Sequence, residues 1–239
     1  MNTARYTHTA SILTNGKVLV AGGYTISGGC SNSTELYDPS TGVWTNTGSM
    51  IFARFFHTAS ILSNGEVLVA GGSLSLTYYS TSFLDRAELY DPLTGVWTNT
   101  GRMSYARIYH TSSVLAYGKV LVAGGFNFFG CLISAEFAEF YDPSTGLWTN
   151  TGNFSFARIY HTASILTNGK VLVTGGSGFG TGILSRAELY DQSTGVWTNT
   201  GSMSFARYSH TASILTNGEV LVAGGNGDSN NLTTTELYG

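Results

Sequence analysis

The sequence predicts an all-β fold built from five tandem copies of one four-stranded unit. Short apolar stretches alternate with turn residues along the chain, and no helical periodicity interrupts them. Four tryptophans recur at nearly regular intervals along the sequence and mark the ends of four units. One histidine recurs in every unit, with spacings of 49, 53, 51 and 49 residues, at His8, His57, His110, His161 and His210. A period of about 50 residues, rich in glycine and aromatic residues, is typical of β-propeller blades.

The first two strands of each unit are predicted from two apolar segments that are separated by a turn. In the first unit, strand one is expected over His8–Leu13. Asn15-Gly16 follows and predicts a tight two-residue hairpin turn in which both residues adopt positive φ. Strand two, over Lys17–Gly23, is a nearly continuous apolar run that ends in Gly-Gly, which favours a strand buried on both faces.

The second half of each unit adds two more strands after a loop of variable length. Strand three is expected at Glu35–Tyr37. The sequence Asp38–Gly42 then supplies proline for a fixed φ and glycine for a left-handed position, which indicates a turn. Strand four is expected at Val43–Thr47.

Four features of this unit resemble kelch repeats. They are Arg-x-x-His before strand one, Gly-Gly at the end of strand two, the tyrosine of Glu-Leu-Tyr-Asp-Pro, and a tryptophan six to seven residues further on. The resemblance covers essentially the whole chain. It implies a single domain over 1–239, a five-bladed β-propeller of four-stranded antiparallel blades, with one blade per repeat. The expected blades are approximately 1–49, 50–102, 103–153, 154–202 and 203–239.

The fifth unit is expected to lack its outer strand. The sequence stops at Glu236–Gly239, where the other units continue through a turn into the tryptophan strand. A closed monomer is the favoured state. Self-association through the incomplete fifth blade is the alternative, because an unpaired strand edge can pair with another chain.

Composition argues against several classes of partner. Only 10% of the residues are charged, the formal net charge is −3, and no run of basic residues occurs. We therefore expect neither nucleic-acid binding nor membrane binding, and no apolar stretch approaches the roughly 18 residues of a membrane helix. Cys30 and Cys131 are expected to be free thiols. The compartment stays open, although three Asn-x-Ser/Thr triplets slightly favour an extracellular location.

Recurring charged residues are interpreted as structural. Five arginines and five glutamates occupy equivalent positions, which favours Arg–Glu contacts within or between blades, since a buried guanidinium needs a carboxylate or carbonyl partner. The alternative is a ring of arginines that lines a channel mouth and attracts an anion. The recurring histidines are expected to form hydrogen bonds between neighbouring blades, because equivalent positions in a ring lie too far apart to share a metal ion. The charged sets are Arg5, Arg54, Arg107, Arg158 and Arg207, and Glu35, Glu88, Glu139, Glu188 and Glu236.

Aromatic residues supply the candidate binding positions. Some stand two positions after the recurring arginine, where they either fill a narrow channel or contact a ligand. Others lie in the variable loops between strands two and three, where they either pack their own loops or form a recognition surface. The candidates are Phe56, Tyr109 and Tyr160 in the first group, and Tyr24, Tyr78, Tyr79, Phe126, Phe128 and Phe179 in the second.

The sequence therefore predicts a non-catalytic binding module for a protein, a peptide or a glycan. No Ser-His-Asp arrangement, carboxylate pair or phosphate-binding loop stands out, so we expect no catalytic residue, no metal and no cofactor. The first alternative is a structural repeat protein that assembles through its fifth blade. A more distant one, implied by the kelch resemblance, is a carbohydrate-active enzyme.

Overall fold

The computed structural model describes residues 1–26, 29–76, 82–127, 136–178, 180–228 and 230–239. In these ranges the regular structure consists of β-strands alone, as the sequence predicts. No helix in the described part of the chain is long and apolar enough to span a membrane. The chain divides into two compact units, one formed by Met1–Ile108 with Asp142–Trp148 and the other by Tyr109–Tyr141 with Thr149–Gly239.

Eleven strands lie in the described residues before Ile108. They are β1 (Arg5–Tyr6), β2 (Thr9–Ile12), β3 (Val18–Ala21), β4 (Tyr24–Thr25), β5 (Gly29–Cys30), β6 (Thr34–Asp38), β7 (Val43–Asn46), β8 (Thr58–Ile61), β9 (Val67–Ala70), β10 (Arg86–Asp91) and β11 (Val96–Arg102).

Thirteen strands follow in the described residues after Ile108. They are β12 (Thr111–Val114), β13 (Val120–Ala123), β14 (Ala138–Asp142), β15 (Leu147–Asn150), β16 (Thr162–Ile165), β17 (Val171–Thr174), β18 (Ser177–Gly178), β19 (Gly182–Ile183), β20 (Arg186–Asp191), β21 (Val196–Ser202), β22 (Thr211–Ile214), β23 (Val220–Ala223) and β24 (Thr235–Tyr238).

Each repeat contains one main antiparallel sheet, which has the form of a propeller blade, and the first and fourth repeats each contain an additional small sheet, β1-β4-β5 and β18-β19. Four sheets have four strands, in the orders β2-β3-β6-β7, β8-β9-β10-β11, β12-β13-β14-β15 and β16-β17-β20-β21. The sheet of the fifth repeat, β22-β23-β24, has three strands in the described residues. The register repeats as well, since Tyr37 pairs with Trp44 and Tyr190 pairs with Trp197.

The second strand of each blade carries much of the core. Every residue of β9, β13 and β17 is buried, in agreement with the continuous apolar run in the sequence. In the fifth repeat only alternate residues of β23 are buried, Val220 and Val222. Within each compact unit the apolar residues of neighbouring blades pack together, and the fifth blade has less cover than the others.

The turn between strands one and two differs from the prediction. Gly16 has a φ of 81°, but Asn15 does not adopt positive φ. The Leu13 N–H donates to the Lys17 carbonyl at 2.8 Å, and the Gly16 N–H donates to the Leu13 carbonyl at 2.9 Å. The connection is therefore a three-residue loop with glycine in the left-handed position, and not a two-residue turn. The Asn15 side chain favours this form because it accepts a hydrogen bond from the Lys17 N–H at 3.1 Å.

The Gly-Gly pair joins each blade to the next. The Gly23 N–H donates to the carbonyl of Arg54 at 2.8 Å, and the Gly176 N–H donates to that of Arg207 at 2.8 Å. Gly22 has a φ of 64°, and a Cβ atom there would lie 2.5 Å from the Arg54 carbonyl oxygen. Only glycine allows this backbone to approach the following repeat so closely.

Candidate functional site

At one end of each blade, the segment before strand one meets the loop after strand two. Tyr6 pairs with Tyr24 in the first repeat, where β1 lies beside β4. Isolated bridges join Phe55 to Ser73 and Tyr208 to Asn226 in two later repeats. We call this end of the blades, with the pre-strand segments and the loops after strand two, the loop end.

Buried ion pairs hold the loop end to the blade. One Arg54 nitrogen donates to the carbonyls of Gly71 and Arg86, at 2.8 and 3.0 Å. The other terminal nitrogen donates to the Glu88 carboxylate at 2.7 Å. Glu88 also accepts hydrogen bonds from two backbone N–H groups of the preceding turn, those of Ile51 and Phe52. The guanidinium therefore fixes the ends of strands two and three to each other.

The same arrangement recurs in the other repeats. Arg5 contacts Glu35 at 2.8 Å, Arg207 contacts Glu236 at 2.7 Å, and Arg158 contacts Glu188. Arg107 and Glu139, the equivalent residues of the third repeat, are fully buried. In the four pairs with described contacts the arginine side chain is 0% exposed, so these groups are enclosed in the blades and do not line an open mouth.

The pKa directions follow from burial and partners. Burial lowers the pKa of Arg54, and the Glu88 carboxylate opposes that shift only in part. Burial alone would raise the pKa of Glu35. The backbone N–H of Asn2 and the Arg5 side chain outweigh it, so the pKa lies below its ordinary value. This carboxylate is therefore ionised at neutral pH.

The recurring histidines link neighbouring repeats. Nε2 of His57 lies 2.9 Å from the Thr9 hydroxyl, and Nε2 of His210 lies 2.9 Å from the Thr162 hydroxyl. Burial, followed by the Arg207 charge, lowers the pKa of His210 to about 4. Burial also places the pKa of His161 well below its ordinary value. Both rings are therefore neutral at pH 7.

Among the described residues of the loop end, five that are not glycine adopt the left-handed backbone conformation. They have φ values between 51° and 58° and include aromatic side chains, which rarely occupy this region. The N–H of Ser209 donates to the carbonyl of Tyr160 at 2.9 Å, and the N–H of Phe56 donates to the carbonyl of Thr7 at 3.3 Å. These inter-repeat bonds help to maintain the strained turns. The five residues are Thr7, Phe56, Tyr109, Tyr160 and Ser209.

In the first compact unit the turns carry an aromatic cluster. The Tyr24 ring lies 5.4 Å from Tyr6 and 5.6 Å from Phe55, between ring centroids. Phe56 lies 5.0 Å from Phe55. Tyr24 and Phe56 are half-buried, and Tyr6 is exposed.

In the second unit the aromatic residues form a row. The rings of Tyr109 and Tyr160 are 4.2 Å apart, and Tyr208 follows at 6.1 Å from Tyr160. All three side chains are half-buried, so each presents part of its ring to solvent. Phe126, in the loop after strand two of the third repeat, is also half-buried.

The arrangement of these repeats agrees with a comparison against protein families. The Kelch motif matches residues 5–51, 54–104 and 158–204, which together make up more than half of the chain. The chain belongs to the kelch family. A comparison with curated proteins gives no match. Kelch repeats commonly mediate protein interactions.

In this kelch protein the structure describes some of the predicted binding residues. Tyr24, Phe56, Tyr109, Tyr160 and Phe126 lie at the loop end, the first two in one compact unit and the others in the second. Tyr78, Tyr79, Phe128 and Phe179 lie outside the described residues.

The sequence reasoning missed two aromatic residues of the kelch loop end, Tyr6 and Tyr208. Both stand one position after the recurring arginine. The signal was available, because that position is aromatic in three of the five repeats and large and apolar in the other two.

No cluster of three or more His, Cys, Asp or Glu that could hold a metal ion occurs among the described residues. Cys30 is a free thiol that donates to the Ser73 carbonyl at 3.3 Å. Burial raises its pKa to about 11, so the thiolate that reacts with oxidants is scarce at neutral pH. Cys131 lies outside the described residues.

Proposed function

We propose that the protein is a non-catalytic binding module that recognises a protein, a peptide or a glycan through aromatic residues of the loop end. The observation that carries this proposal is the row of Tyr109, Tyr160 and Tyr208, whose rings lie close together while remaining partly open to solvent. Rigid aromatic side chains give a large contact area at a low cost in conformational entropy.

The backbone of the turns supports this proposal. Tyr109 and Tyr160 have φ values of 58° and 55°, a conformation that costs of the order of 1–3 kcal/mol for such residues. Strain of this size is often found where a side chain must take a defined position for function. Here the positive φ of Tyr109 and Tyr160 sets the direction in which the two phenol rings leave the backbone.

The chemistry of the residues indicates the class of ligand. Tyrosine combines an apolar ring face with a hydroxyl group that donates and accepts hydrogen bonds. A sugar ring or an extended peptide offers matching flat apolar patches and polar groups. The arginines that precede Tyr160 and Tyr208, Arg158 and Arg207, are buried against glutamates, so these two guanidinium groups are not available to an anionic ligand.

The proposal is tested by screening the purified protein against a glycan array and a displayed peptide library. The double variant Tyr109→Ala/Tyr160→Ala should lose binding to any ligand that the wild-type protein selects. Tyr117→Ala is the matched control, since Tyr117 is 87% exposed and lies in the turn between strands one and two, at the opposite end of its blade.

Equal binding by the wild-type protein and the double variant would exclude the tyrosine row as the recognition surface. Loss of binding in Tyr117→Ala as well would indicate a nonspecific effect of removing tyrosine. Circular dichroism of each variant shows whether the blades remain folded.

A further inference from the structure

Two arginines stand opposite each other on neighbouring strands of the second repeat. Glu88 on β10 pairs with Asn99 on β11. A regular ladder would therefore place Gly101 opposite Arg86, but a register shift gives this place to Arg102. Side chains of directly opposed residues share one face of a sheet, with Cβ atoms about 4.5–5.5 Å apart. The shift thus brings two positive charges together on one face of the blade.

Neither guanidinium is neutralised in the way that the buried arginines are. The Arg102 side chain is 56% exposed, and one of its nitrogens lies 3.8 Å from the Asp85 carboxylate, which is longer than a hydrogen bond. In the described part of the chain, the Arg86 guanidinium contacts an aromatic ring and has no carboxylate partner. Like charges directly opposite each other destabilise a sheet, and an anion bound between them removes this effect.

The ring of Phe52 holds the Arg86 side chain in place. The guanidinium carbon of Arg86 lies over this ring, 4.4 Å from its centroid. The Phe52 N–H donates to the Glu88 carboxylate at 3.1 Å. The Arg86 carbonyl accepts a hydrogen bond from the Arg54 side chain at 3.0 Å. Both partners of the cation–π contact are therefore anchored through their backbones, and contact with a ring face leaves N–H groups of the guanidinium for an acceptor.

The second repeat alone carries arginine at both positions. The residues equivalent to Arg102 in the first, third and fourth repeats are Ser49, Asn153 and Ser202. The fourth repeat contains the other half of the arrangement, since the Arg186 guanidinium lies over the ring of Phe156, 4.2 Å from its centroid. Arg186 also pairs with Ser202 across the same register shift. The fourth repeat therefore offers a matched comparison that lacks the second guanidinium.

We infer that Arg86 and Arg102 form a binding site for the tetrahedral oxyanion of a sulfate or phosphate ester. Each guanidinium presents a planar fork of N–H donors, and the two oxygens of a carboxylate are satisfied by one such fork. A sulfate or phosphate ester exposes three oxygens, so it accepts from both forks at once. Its negative charge also removes the repulsion between the two arginines. This site belongs to the first compact unit and does not rest on the proposed function of the tyrosine row.

The charge around the site determines how the two esters differ. Arg86 and Arg102 supply two positive charges, and Asp85 supplies one negative charge beside Arg102. A sulfate ester, with one negative charge, balances these three side chains. A phosphate monoester has a charge of about −1.5 to −2 at neutral pH, so the Asp85 carboxylate repels it more strongly. Asp85→Asn should therefore strengthen the binding of a phosphate ester more than that of a sulfate ester.

The test is a titration of the ¹⁵N-labelled full chain with methyl sulfate and, separately, with methyl phosphate. Nuclear magnetic resonance follows the side-chain Nε–H signals of the arginines, while sodium chloride keeps the ionic strength constant so that screening does not change. We expect saturable shifts of the Arg86 and Arg102 signals, with one ester bound per chain. Tighter binding of methyl sulfate would assign the site to a sulfated ligand, and tighter binding of methyl phosphate to a phosphorylated one.

Two variants exchange the chemistry of the second and fourth repeats. Arg102→Ser should bind either ester at least about tenfold more weakly, because the ester loses the charge-assisted hydrogen bonds of one fork. Ser202→Arg should create a second site at Arg186, so that the number of esters bound rises from one to two per chain. Lys17→Ser is the control for loss of a positive charge, since Lys17 pairs with Asp38 in the first repeat, and it should leave the affinity unchanged.

Urea unfolding in sodium chloride separates binding from folding. Arg102→Ser should not lower the urea midpoint, because the side chain is largely exposed and its removal relieves the contact between like charges. Two results would overturn the inference. One is a shift of the arginine signals that does not saturate, or that is equal in the wild-type protein and in Arg102→Ser. The other is binding of a single ester by Ser202→Arg, which would show that two opposed arginines do not make the site.

Discussion

Replacing the buried arginines with methionine should destabilise the protein by amounts that depend on the exposure of the carboxylate left behind. Arg54 and Arg207 make nearly identical contacts, with their glutamates at 2.7 Å and with carbonyl oxygens at 2.8–3.1 Å. They differ in the partner, because Glu88 is 0% exposed and Glu236 is 17% exposed. The pair therefore isolates the effect of burial at constant geometry.

The expected magnitudes follow from the charge that is left unpaired. Arg54→Met removes hydrogen bonds to two carbonyls and leaves the Glu88 carboxylate with two backbone N–H donors in a dry environment. Loss of one member of a fully buried pair costs about 3–5 kcal/mol. In Arg207→Met, water reaches the Glu236 carboxylate, so we expect a smaller loss of about 1–3 kcal/mol.

Urea unfolding followed by tryptophan fluorescence measures both losses. Equal losses in the two variants at pH 7, or a larger loss in Arg207→Met, would refute the reasoning that burial sets the cost.

Three further outcomes can be measured in the same way. The free energy of unfolding should fall by up to about 3 kcal/mol as the pH drops from about 6.5 to about 4, because of His210. Its ring takes up a proton near pH 6.5 in the unfolded chain and near pH 4 in the folded protein. His210→Gln should flatten this pH dependence in a series of urea titrations. Ser209→Gly should raise the free energy of unfolding by about 0.5–1 kcal/mol, because it removes strain at a φ of 51° from an exposed position; a lower melting temperature in calorimetry would contradict this. Trp97→Phe should lower the free energy of unfolding by about 1–3 kcal/mol, since the Gly48 carbonyl loses its indole donor. An unchanged urea midpoint would show that this hydrogen bond does not stabilise the protein.

The order of strands could be predicted because every repeat carries the same local sequence signals. An apolar run ending in Gly-Gly, followed by Glu-Leu-Tyr and a tryptophan, defines strands two to four without reference to distant residues. The equal numbers of recurring arginines and glutamates likewise led to the expectation of ion pairs. The number of these residues could not show whether the contacts lie within a blade or between blades. The structure places Arg54 and Glu88 within one repeat.

The backbone conformation of the loop end could not be predicted. Thr7, Phe56, Tyr109, Tyr160 and Ser209 are not residue types that signal positive φ, and no turn motif surrounds them. Their conformation is imposed by tertiary contacts, such as the N–H bond from Ser209 to the carbonyl of Tyr160 in the repeat before it. The two-residue turn expected at Asn15-Gly16 was wrong for a related reason, since the Asn15 side chain favours a looser three-residue loop.

The hydrogen-bond acceptor of the outer-strand tryptophan could not be predicted from the sequence either. The position of each tryptophan in its strand was clear, but its hydrogen-bond acceptor lies about one period earlier in the chain, as Gly48 does for Trp97. Gly48, Gly101, Gly152 and Gly201 recur without any turn to explain them. Their spacing was visible, yet only the packed blades show that a side chain at Gly48, Gly101 or Gly152 would collide with the outer strand of the next repeat.

The loop end leaves mainly aromatic side chains for recognition. At the loop end, backbone N–H groups such as that of Ser209 are used by bonds between repeats, and the arginines are neutralised inside the blades. Aromatic side chains therefore remain as the main contacts, so binding there should depend only weakly on salt.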